Sequence, residues 1–188
     1  MSRPTGGSAG VDLDEPTRRC LLDVAREAIA AHLAGRRPRL PSGDVGRHGA
    51  FVTLRQAADG ELRGCVGQLE SSDPLVETVA EMAVAAATRD SRFDPVPADE
   101  LASLRVEISV LSSLQPIEPR EVEVGRHGLL VRLGERRGVL LPQVPLEHAW
   151  DRESFLGHTC VKAGLPADAW RQPGIEISGF TATVFGEE

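Results

Sequence analysis

Residues 50–69 have the sequence AFVTLRQAADGELRGCVGQL, which predicts the central hairpin of the fold. The apolar and β-branched residues of 50–57 predict one strand, and Asp59-Gly60 is a dipeptide that two-residue hairpin turns favour. The returning strand is predicted from Leu62 to Leu69. Its glycines, Gly64 and Gly67, are unusual inside a strand, so we expect a bulge there, or the close approach of another backbone or a ligand.

One helix is predicted before this hairpin and two after it, because apolar residues recur at helical spacing in three segments. Asp14 and the following Pro16 predict the start of the first helix, and Asp73-Pro74 predicts the start of the second. Asp151 is the expected cap of the third helix, and Gly164 is its expected end.

Further strands are predicted in the second half of the chain. Alternation over 104–110 predicts a half-buried strand, and apolar runs on either side of 134–138 predict a second hairpin. The segment 122–124 predicts a short strand, and residues 175–185 predict a final strand with a bulge at Gly179. This order lacks the repeated βαβ rhythm of a doubly wound sheet. The predicted fold class is therefore α+β, with a mostly antiparallel sheet and flanking helices.

The composition is that of an ordinary globular chain, with 41% hydrophobic and 26% charged residues among 188. That length suits one domain or two closely packed lobes. A net charge of -7, with scattered arginines, argues against a nucleic-acid partner. No apolar run reaches the roughly 18 residues of a membrane span. We expect residues 1–11 to form a flexible tail rather than a signal peptide, and the cytoplasm to be the compartment.

Common cofactor motifs are absent from the sequence. It has no phosphate-binding loop, no dinucleotide-binding glycine pattern, no His-Glu-x-x-His and no Gly-x-Ser-x-Gly. The three cysteines, Cys20, Cys65 and Cys160, are widely spaced, which argues against a disulfide framework and against a structural zinc site. We therefore predict no metal site, and the sequence leaves the cofactor open.

The segment Arg63-Gly64-Cys65-Val66-Gly67 carries the strongest chemical signal. An arginine near a thiol favours the thiolate, which is the reactive form of cysteine. Flanking glycines can leave backbone N–H groups free to hold an anion. We therefore hypothesise that Cys65 is a nucleophile and that Arg63, Gly64 and Gly67 bind the substrate. The alternative is a buried strand cysteine whose neighbouring glycines serve packing.

Three more residues are candidates for this site. Glu107 lies on the polar side of its predicted strand, where a carboxylate can orient Arg63 or act as a base. Arg92 can bind an anion while Asp90 holds it in place. His127, at the start of a strand, can act as a general base. The corresponding structural alternatives are a solvated strand residue, a salt bridge at a helix end and a turn histidine.

Several segments together resemble one family. They occur in its order and are residues 51–54, 62–67, 90–93, 106–111, 138–144, 150–156 and 159–165. This ordered set resembles the AMMECR domain family, whose prokaryotic form is called AmmeMemoRadiSam system protein A. The resemblance covers about residues 15 to 186. The chain departs from the usual pattern at Val66, Gln68 and Ala149, where the family has isoleucine, threonine and glycine.

The resemblance implies an α+β domain over residues 12–188 with two lobes and a cleft between them. In the implied arrangement, both chain ends contribute to a larger lobe, and a smaller lobe is inserted between these two parts of the chain. It also implies that the segment matching Arg63 to Gly67 is the functional site. A Memo-like protein and a radical-SAM enzyme are the partners that it implies.

Two functions remain as hypotheses. The first is a small-molecule or protein-modifying enzyme in which Cys65, Glu107 and His127 are catalytic, while Arg63 and Arg92 bind an anionic substrate. The second is a non-catalytic module that binds a Memo-like protein or a radical-SAM enzyme through the strand over 62–67.

Overall fold

The computed structural model describes residues 10–43 and 45–188, so residues 1–9 of the predicted tail lie outside the described part. Its helices are α1 (Glu15–Leu33), α2 (Leu75–Thr88), α3 (Val144–Glu147) and α4 (Arg152–Lys162). Its strands are β1 (Ala50–Gln56), β2 (Leu62–Gln68), β3 (Leu104–Leu111), β4 (Gln115–Pro116), β5 (Gly128–Leu133), β6 (Arg136–Leu140), β7 (Glu176–Phe180) and β8 (Ala182–Gly186). The predicted α+β class with antiparallel sheets and flanking helices is confirmed.

The chain divides into two compact units. The first unit comprises residues 12–111 and 183–188, and the second comprises residues 112–182 with the described residues that precede Asp12. The lobes and the cleft that the resemblance implies stay predictions. No helix of the described residues is long and apolar enough to span a membrane.

The first unit is a sheet with the strand order β2-β1-β3-β8, and α1 and α2 belong to the same unit. Val52 and Leu54 of β1 and Ile108 of β3 have no exposed surface. Most residues of α2 are buried, because this helix packs against β1 and β2 as well as against α1. Burial of these apolar side chains holds the sheet in place, at about 1.5–3 kcal/mol for each large residue.

Both predicted helix starts in the first unit are found, and one of them has a capping side chain. Asp14 caps α1, since its carboxylate accepts a hydrogen bond from the backbone N–H of Thr17 at 3.0 Å. The prediction that Asp73-Pro74 marks the start of the second helix is confirmed, but the Asp73 carboxylate does not cap it. Pro74 occupies the cap position of α2, and no side chain caps the helix there.

The second unit is a sheet with the order β4-β7-β5-β6, and α4 packs against β5 and β6. Phe155, Leu156 and Cys160 of α4 are fully buried in its core. Asp151 caps α4 as predicted, because its carboxylate accepts the N–H of Ser154 at 2.8 Å. The predicted hairpin around 134–138 is confirmed as β5 and β6.

The predicted final strand is wrong in an informative way. Residues 175–185 form two strands that belong to different sheets, β7 in the second sheet and β8 in the first. Thr181 separates them. The change of alternation near Gly179 therefore marks a crossing between sheets, and the bulge predicted there does not occur, since β7 pairs regularly with β5 through Gly179.

Two shorter predictions are also corrected. Val122 and Val124 form no strand; Val122 ends a 3₁₀ turn over Pro119–Glu121, and its buried side chain belongs to the core of the second unit. The turn between β1 and β2 is wider than the two residues Asp59-Gly60. The N–H of Gln56 bonds to the carbonyl of Glu61, so residues 57–60 form the loop.

Candidate functional site

A β-bulge at Arg63 shapes the first part of β2. Leu54 of β1 pairs with Gly64, and the next residue, Arg55, pairs with Leu62, so Arg63 has no partner in the ladder. A bulge of this kind bends a strand and redirects the side chain of its extra residue. The bulge that the two glycines predicted in this strand is confirmed, and Arg63 is the residue that it displaces.

Each nitrogen of the redirected Arg63 guanidinium donates a hydrogen bond within the chain. Its Nε and Nη2 donate to the two carboxylate oxygens of Glu100 at 2.7 and 3.0 Å, and its Nη1 donates to the carbonyl of Asp94 at 2.9 Å. Both side chains of the pair are mostly buried. These hydrogen bonds from Arg63 are the main reason that the pKa of Glu100 is lowered. The hypothesis that Glu107 orients Arg63 is therefore wrong, because Glu100 does so.

Cys65, Thr53 and Glu107 form one row across three neighbouring strands, which we call the polar row. Thr53 of β1 pairs with Cys65 of β2 on one side and with Glu107 of β3 on the other. The Thr53 hydroxyl donates a hydrogen bond to the Cys65 sulfur at 3.3 Å. Cys65 and Glu107 are half-buried, whereas Thr53 is 8% exposed. Because strands lie about 4.8 Å apart, the thiol and the carboxylate are separated by roughly 10 Å.

Asp90 and Arg92 hold the backbone of Cys65 from the free side of β2. Asp90 accepts the Cys65 N–H at 2.8 Å, and Nη2 of Arg92 contacts the Cys65 carbonyl at 3.4 Å. Arg92 also donates to both oxygens of Asp90, at 2.9 and 2.6 Å. These bonds, those from Arg92 first, hold the pKa of Asp90 far below its ordinary value against the opposing effect of burial.

The charges of both arginines are offset within the chain. Arg63 pairs with Glu100, and Arg92 pairs with Asp90. The pKa of Arg92 is raised first by its hydrogen bonds to Asp90, and in smaller part by its charge interaction with Cys65. Its Nη1 group has no partner among the described residues, and 55% of its side chain is exposed. Arg92, rather than Arg63, is therefore the arginine that can meet a ligand.

The glycines of the segment allow close packing. A Cβ atom at Gly64 would lie 2.2 Å from the carbonyl oxygen of Ala86 in α2. A Cβ atom at Gly67 would lie 2.2 Å from the ring of Phe51 and 2.6 Å from the carbonyl oxygen of Ala50. Another backbone does approach at Gly64, as one of the sequence expectations stated. Substrate binding by either glycine stays a prediction.

His127 belongs to the second unit and has a structural contact there. It is 7% exposed, and its Nδ1 accepts a hydrogen bond from the Glu123 N–H at 3.0 Å. Burial lowers its pKa, helped by the positive charge of Arg126 and opposed by the charge of Glu123. An Nδ1 that accepts a backbone N–H must be unprotonated, so Nε2 carries the proton. The catalytic role of His127 stays a prediction.

Two residues of this site were missed from the sequence. Thr53 alternates with buried apolar residues and is a common strand former, so only its pairing with Cys65 and Glu107 identifies it. Glu100 lies in a loop without periodicity, and no local pattern indicates that it meets Arg63. Asp90, in contrast, could be found from its spacing to Arg92.

Comparison with known proteins places the chain in a family. A family model described as AMMECR1 matches residues 22–185. Protein MK0488 of Methanopyrus kandleri is 45% identical over 180 residues, which cover 89% of this chain and 87% of the relative. The chain belongs to the AMMECR1 family. The family that the ordered motifs indicated is thereby confirmed.

Further AMMECR1 relatives support the fold. Protein MJ0810 of Methanocaldococcus jannaschii is 43% identical over 173 residues, covering 87% of this chain and 86% of that protein. The crystal structure of uncharacterised protein PH0010 from Pyrococcus horikoshii is 41% identical, with a TM-score of 0.79, and covers 89% of this chain and 90% of that one. None of these names states an activity, so the function of this AMMECR1 chain has to be argued from its site.

Proposed function

We propose that this AMMECR1 protein is a thiol-dependent enzyme whose nucleophile is Cys65. The observation that carries the proposal is the hydrogen bond from the Thr53 hydroxyl to the Cys65 sulfur, at 3.3 Å. A hydrogen bond donated to a thiolate is charge-assisted and fixes the direction of the sulfur, and the thiolate is the nucleophilic form of cysteine. Cys65 is half-buried, so part of the residue is accessible to a substrate.

Glu107 is the second catalytic group in this proposal. Its roughly 10 Å separation from Cys65 is too large for direct proton transfer, which needs about 2.6–3.2 Å. The same separation is short enough for one small substrate group to contact both side chains. In the proposed step, sulfur bonds to an electrophilic carbon of that group and the thiol proton passes to solvent. The electron pair of the broken carbon–oxygen π bond moves onto the substrate oxygen, which takes up a proton from solvent, and the resulting hydroxyl donates a hydrogen bond to the Glu107 carboxylate.

Arg92 orients an acidic part of the substrate through its Nη1 group. Because Asp90 offsets its charge, this contact acts through hydrogen-bond direction more than through net charge. Arg63 takes a positioning role instead, since Glu100 and the Asp94 carbonyl use its donors.

The test is the alkylation rate of each cysteine by iodoacetamide, followed by mass spectrometry. We expect Cys65 to react faster than Cys20, which is also half-buried, and Cys160 to react last, because it is buried and burial raises its pKa. Thr53→Val should slow Cys65 by about two- to tenfold, the worth of one hydrogen bond. Thr88→Val removes a hydroxyl that bonds to Val84 instead and should leave the rate unchanged. Equal rates for Cys65 and Cys20 would refute the proposal.

A second candidate function is an assembly module for a Memo-like protein or a radical-SAM enzyme. The observation that favours it is the structural hydrogen bond of His127, whose Nδ1 accepts the Glu123 N–H in the second unit. Without His127 the proposed site has no histidine, which is the most common general base. This alternative expects the purified protein to co-sediment with such a partner, and expects Cys65→Ser to leave that association intact.

A further inference from the structure

Two arginines lie directly opposite each other in the first sheet, and we call them the arginine pair. Arg55 of β1 pairs with Arg105 of β3, in a ladder that runs without a register shift from Ala50 to Gln56. Thr53 and Glu107 pair with each other two positions away in the same ladder. Side chains two positions apart on a strand share one face of the sheet. The arginine pair therefore lies on the same face as the polar row, roughly 7 Å from it along the strands.

The charges of the arginine pair add to each other. Directly opposite residues have Cβ atoms about 5 Å apart, and like charges in such positions are destabilising. Nη1 of Arg55 donates to the carbonyl of Gly60 at 3.2 Å, but neither arginine forms an ion pair with a described carboxylate, including that of Glu107. Arg55 is half-buried and Arg105 is exposed, so a ligand can reach both.

The second sheet contains a matched case in which the chain supplies its own anion. Arg132 of β5 pairs with Arg137 of β6 on one side and with Glu176 of β7 on the other, and the Glu176 carboxylate lies 3.9 Å from Nη1 of Arg132. In the first sheet the equivalent neighbour of Arg55 is Leu62, which carries no charge. Water hydrates two guanidinium groups but does not cancel their repulsion, whereas an anion bound to both does.

Charge and shape favour a phosphate group as this anion. Guanidinium N–H groups match phosphate oxygens in two-point contacts, and the three oxygens of a phosphate can accept from two guanidinium groups at once. A phosphate monoester carries roughly 1.5 to 2 negative charges at neutral pH and so offsets both arginines, whereas a carboxylate offsets only one. Arg92 offers less to such a group, because Asp90 already offsets its charge.

We infer that Arg55 and Arg105 bind the phosphate group of a small phosphorylated substrate. Cys65 lies one strand across and two positions along from Arg55, which separates their backbones by roughly 8 Å. A molecule with a few carbon atoms therefore places its electrophilic carbon at Cys65 while the arginine pair holds its phosphate. The choice of Cys65 as the reacting group rests on the function proposed above, whereas the binding of phosphate does not.

The first test is isothermal titration calorimetry of the full chain with methyl phosphate, inorganic phosphate and acetate at constant ionic strength. We expect methyl phosphate to bind, and acetate to bind about tenfold or more weakly. Arg55→Gln and Arg105→Gln should each weaken methyl phosphate by about tenfold or more, the effect of losing a hydrogen bond to a charged group. Arg137→Gln is the matched control, because it also removes an arginine that lies opposite another, and it should leave the affinity unchanged.

Three results of this titration would overturn the inference. One is the absence of saturable methyl phosphate binding. Another is an equal loss of affinity in Arg137→Gln, since the effect would then come from net charge. The third is binding of inorganic phosphate without methyl phosphate, because the site would then take the free ion and not a phosphorylated substrate.

Stability without any phosphate tests the repulsion itself. At low ionic strength, Arg105→Gln should raise the urea midpoint, because it removes one of two like charges, and added sodium chloride should abolish the gain by screening. Methyl phosphate should raise the midpoint of the unchanged protein and not that of Arg105→Gln, because a ligand stabilises only the folded chain that binds it. A lower midpoint for Arg105→Gln at low ionic strength would contradict the argument, since the two charges would then not oppose folding.

Two alkylating reagents connect the arginine pair to Cys65. Bromoacetonyl phosphate and bromoacetone have the same reactive carbon, and only the first carries a phosphate. In both, sulfur bonds to that carbon and bromide leaves with the electron pair of the carbon–bromine bond. The phosphate reagent should modify Cys65 faster, and the ratio of the two rates should fall about tenfold in Arg105→Gln, in line with the lost affinity. A ratio that Arg105→Gln leaves unchanged would overturn the inference.

Failure of this inference and failure of the thiol proposal can be told apart. Cys65→Ser should bind methyl phosphate as the unchanged protein does. If methyl phosphate does not bind while Cys65 still reacts quickly with iodoacetamide, the inference about the arginine pair alone is lost. If Cys65 reacts no faster than Cys20 while methyl phosphate binds through Arg55 and Arg105, the thiol proposal is lost and the phosphate site stands.

Discussion

Gly64 fixes the distance between β2 and α2, because a Cβ atom there would lie 2.2 Å from the carbonyl oxygen of Ala86. Real Cβ atoms do not approach a backbone oxygen this closely, so β2 and α2 would have to move apart. We expect Gly64→Ala to lower the free energy of unfolding by about 1–3 kcal/mol, the usual cost of overfilling a core. Urea denaturation followed by circular dichroism measures this change.

Gly43 provides the matched control for this substitution. A Cβ atom at Gly43 would meet nothing within 4 Å, and its residue is exposed. Gly43→Ala should therefore change stability by less than about 0.5 kcal/mol, as surface substitutions usually do. An equal loss in both variants would show that the spacing of β2 and α2 does not depend on Gly64.

Some features of the candidate site are predictable from single residues in the sequence, and others are not. Glu107 lies on the face opposite Val106 and Ile108, as the alternation predicted. The position of Cys65 and Glu107 in one row depends on the register of three strands, with Thr53 between them. Register is set by pairing across the sheet, so local sequence patterns do not contain it. The partner of Arg63 is not predictable from local sequence either, because Glu100 lies in a loop and the bulge leaves Arg63 outside the ladder.

At the scale of elements, helix starts with a capping side chain and hairpins with a glycine turn were the most predictable. Asp14 and Asp151 cap their helices because a carboxylate one residue before a helix satisfies a free N–H. The last two strands could not be separated from sequence. Both β7 and β8 have strand-forming residues, and the crossing at Thr181 uses a single residue without glycine or proline. In the sequence, a change in the phase of the apolar–polar alternation is the same whether it comes from a bulge or from a crossing between sheets.

Ala149, between α3 and α4, adopts a backbone conformation that favours glycine. Its φ of 52° is the only positive value among the described non-glycine residues. It links His148 to Trp150. The Trp150 ring stacks on the rings of His148 and His158, with centroid distances of 4.7 and 3.8 Å. A left-handed residue with a Cβ costs roughly 1 kcal/mol. We expect Ala149→Gly to raise the free energy of unfolding by about 0.5–1 kcal/mol, measured as a higher urea midpoint.

The same substitution at Ala34 should have the opposite sign. Ala34 is exposed at the end of α1 with an ordinary φ of -86°. Ala34→Gly there only adds freedom to the unfolded chain and should cost about 0.5–1 kcal/mol. A loss of stability in both variants would mean that the aromatic contacts of Trp150 need the alanine at position 149.

At the scale of the whole molecule, Glu187 brings the end of the chain to its first helix. Its carboxylate accepts both Nε and Nη2 of Arg26 in α1, the latter at 2.7 Å, and the backbone N–H of Val106 in β3 at 2.8 Å. Removing it leaves the strand N–H without an acceptor and the partly buried guanidinium with only the carbonyls of Leu101 and Leu104. Glu187→Ala should therefore cost about 1–3 kcal/mol in urea denaturation.

Glu188 is the control for this contact, because it is exposed at the adjacent position. Glu188→Ala removes the same charge and should stay within about 0.5 kcal/mol of the unchanged protein. If the two variants lose equal stability, the effect comes from net charge, and the tie between Glu187 and Arg26 contributes nothing.

We expect the decrease in the free energy of unfolding at acid pH to depend in part on His127. Burial, then the charge of Arg126, lowers its pKa below the ordinary 6.5, while the charge of Glu123 opposes them. The unfolded chain therefore binds a proton at a pH where the folded chain does not. Stability is fully present above about pH 6.5 and falls as the pH drops from there through the folded pKa, by about 1.4 kcal/mol for each unit of difference.

His127→Asn isolates this contribution, because an asparagine carbonyl can accept the Glu123 N–H in place of Nδ1 but does not titrate. Glu123 itself stays ionised over this range, since Arg126 lowers its pKa. We expect the variant to lose less stability than the unchanged protein between pH 8 and pH 5, whatever their difference at pH 8. Urea midpoints at each pH measure this. Parallel curves would mean that His127 binds its proton equally well in the folded and unfolded chains, and that its contact with Glu123 does not depend on the neutral ring.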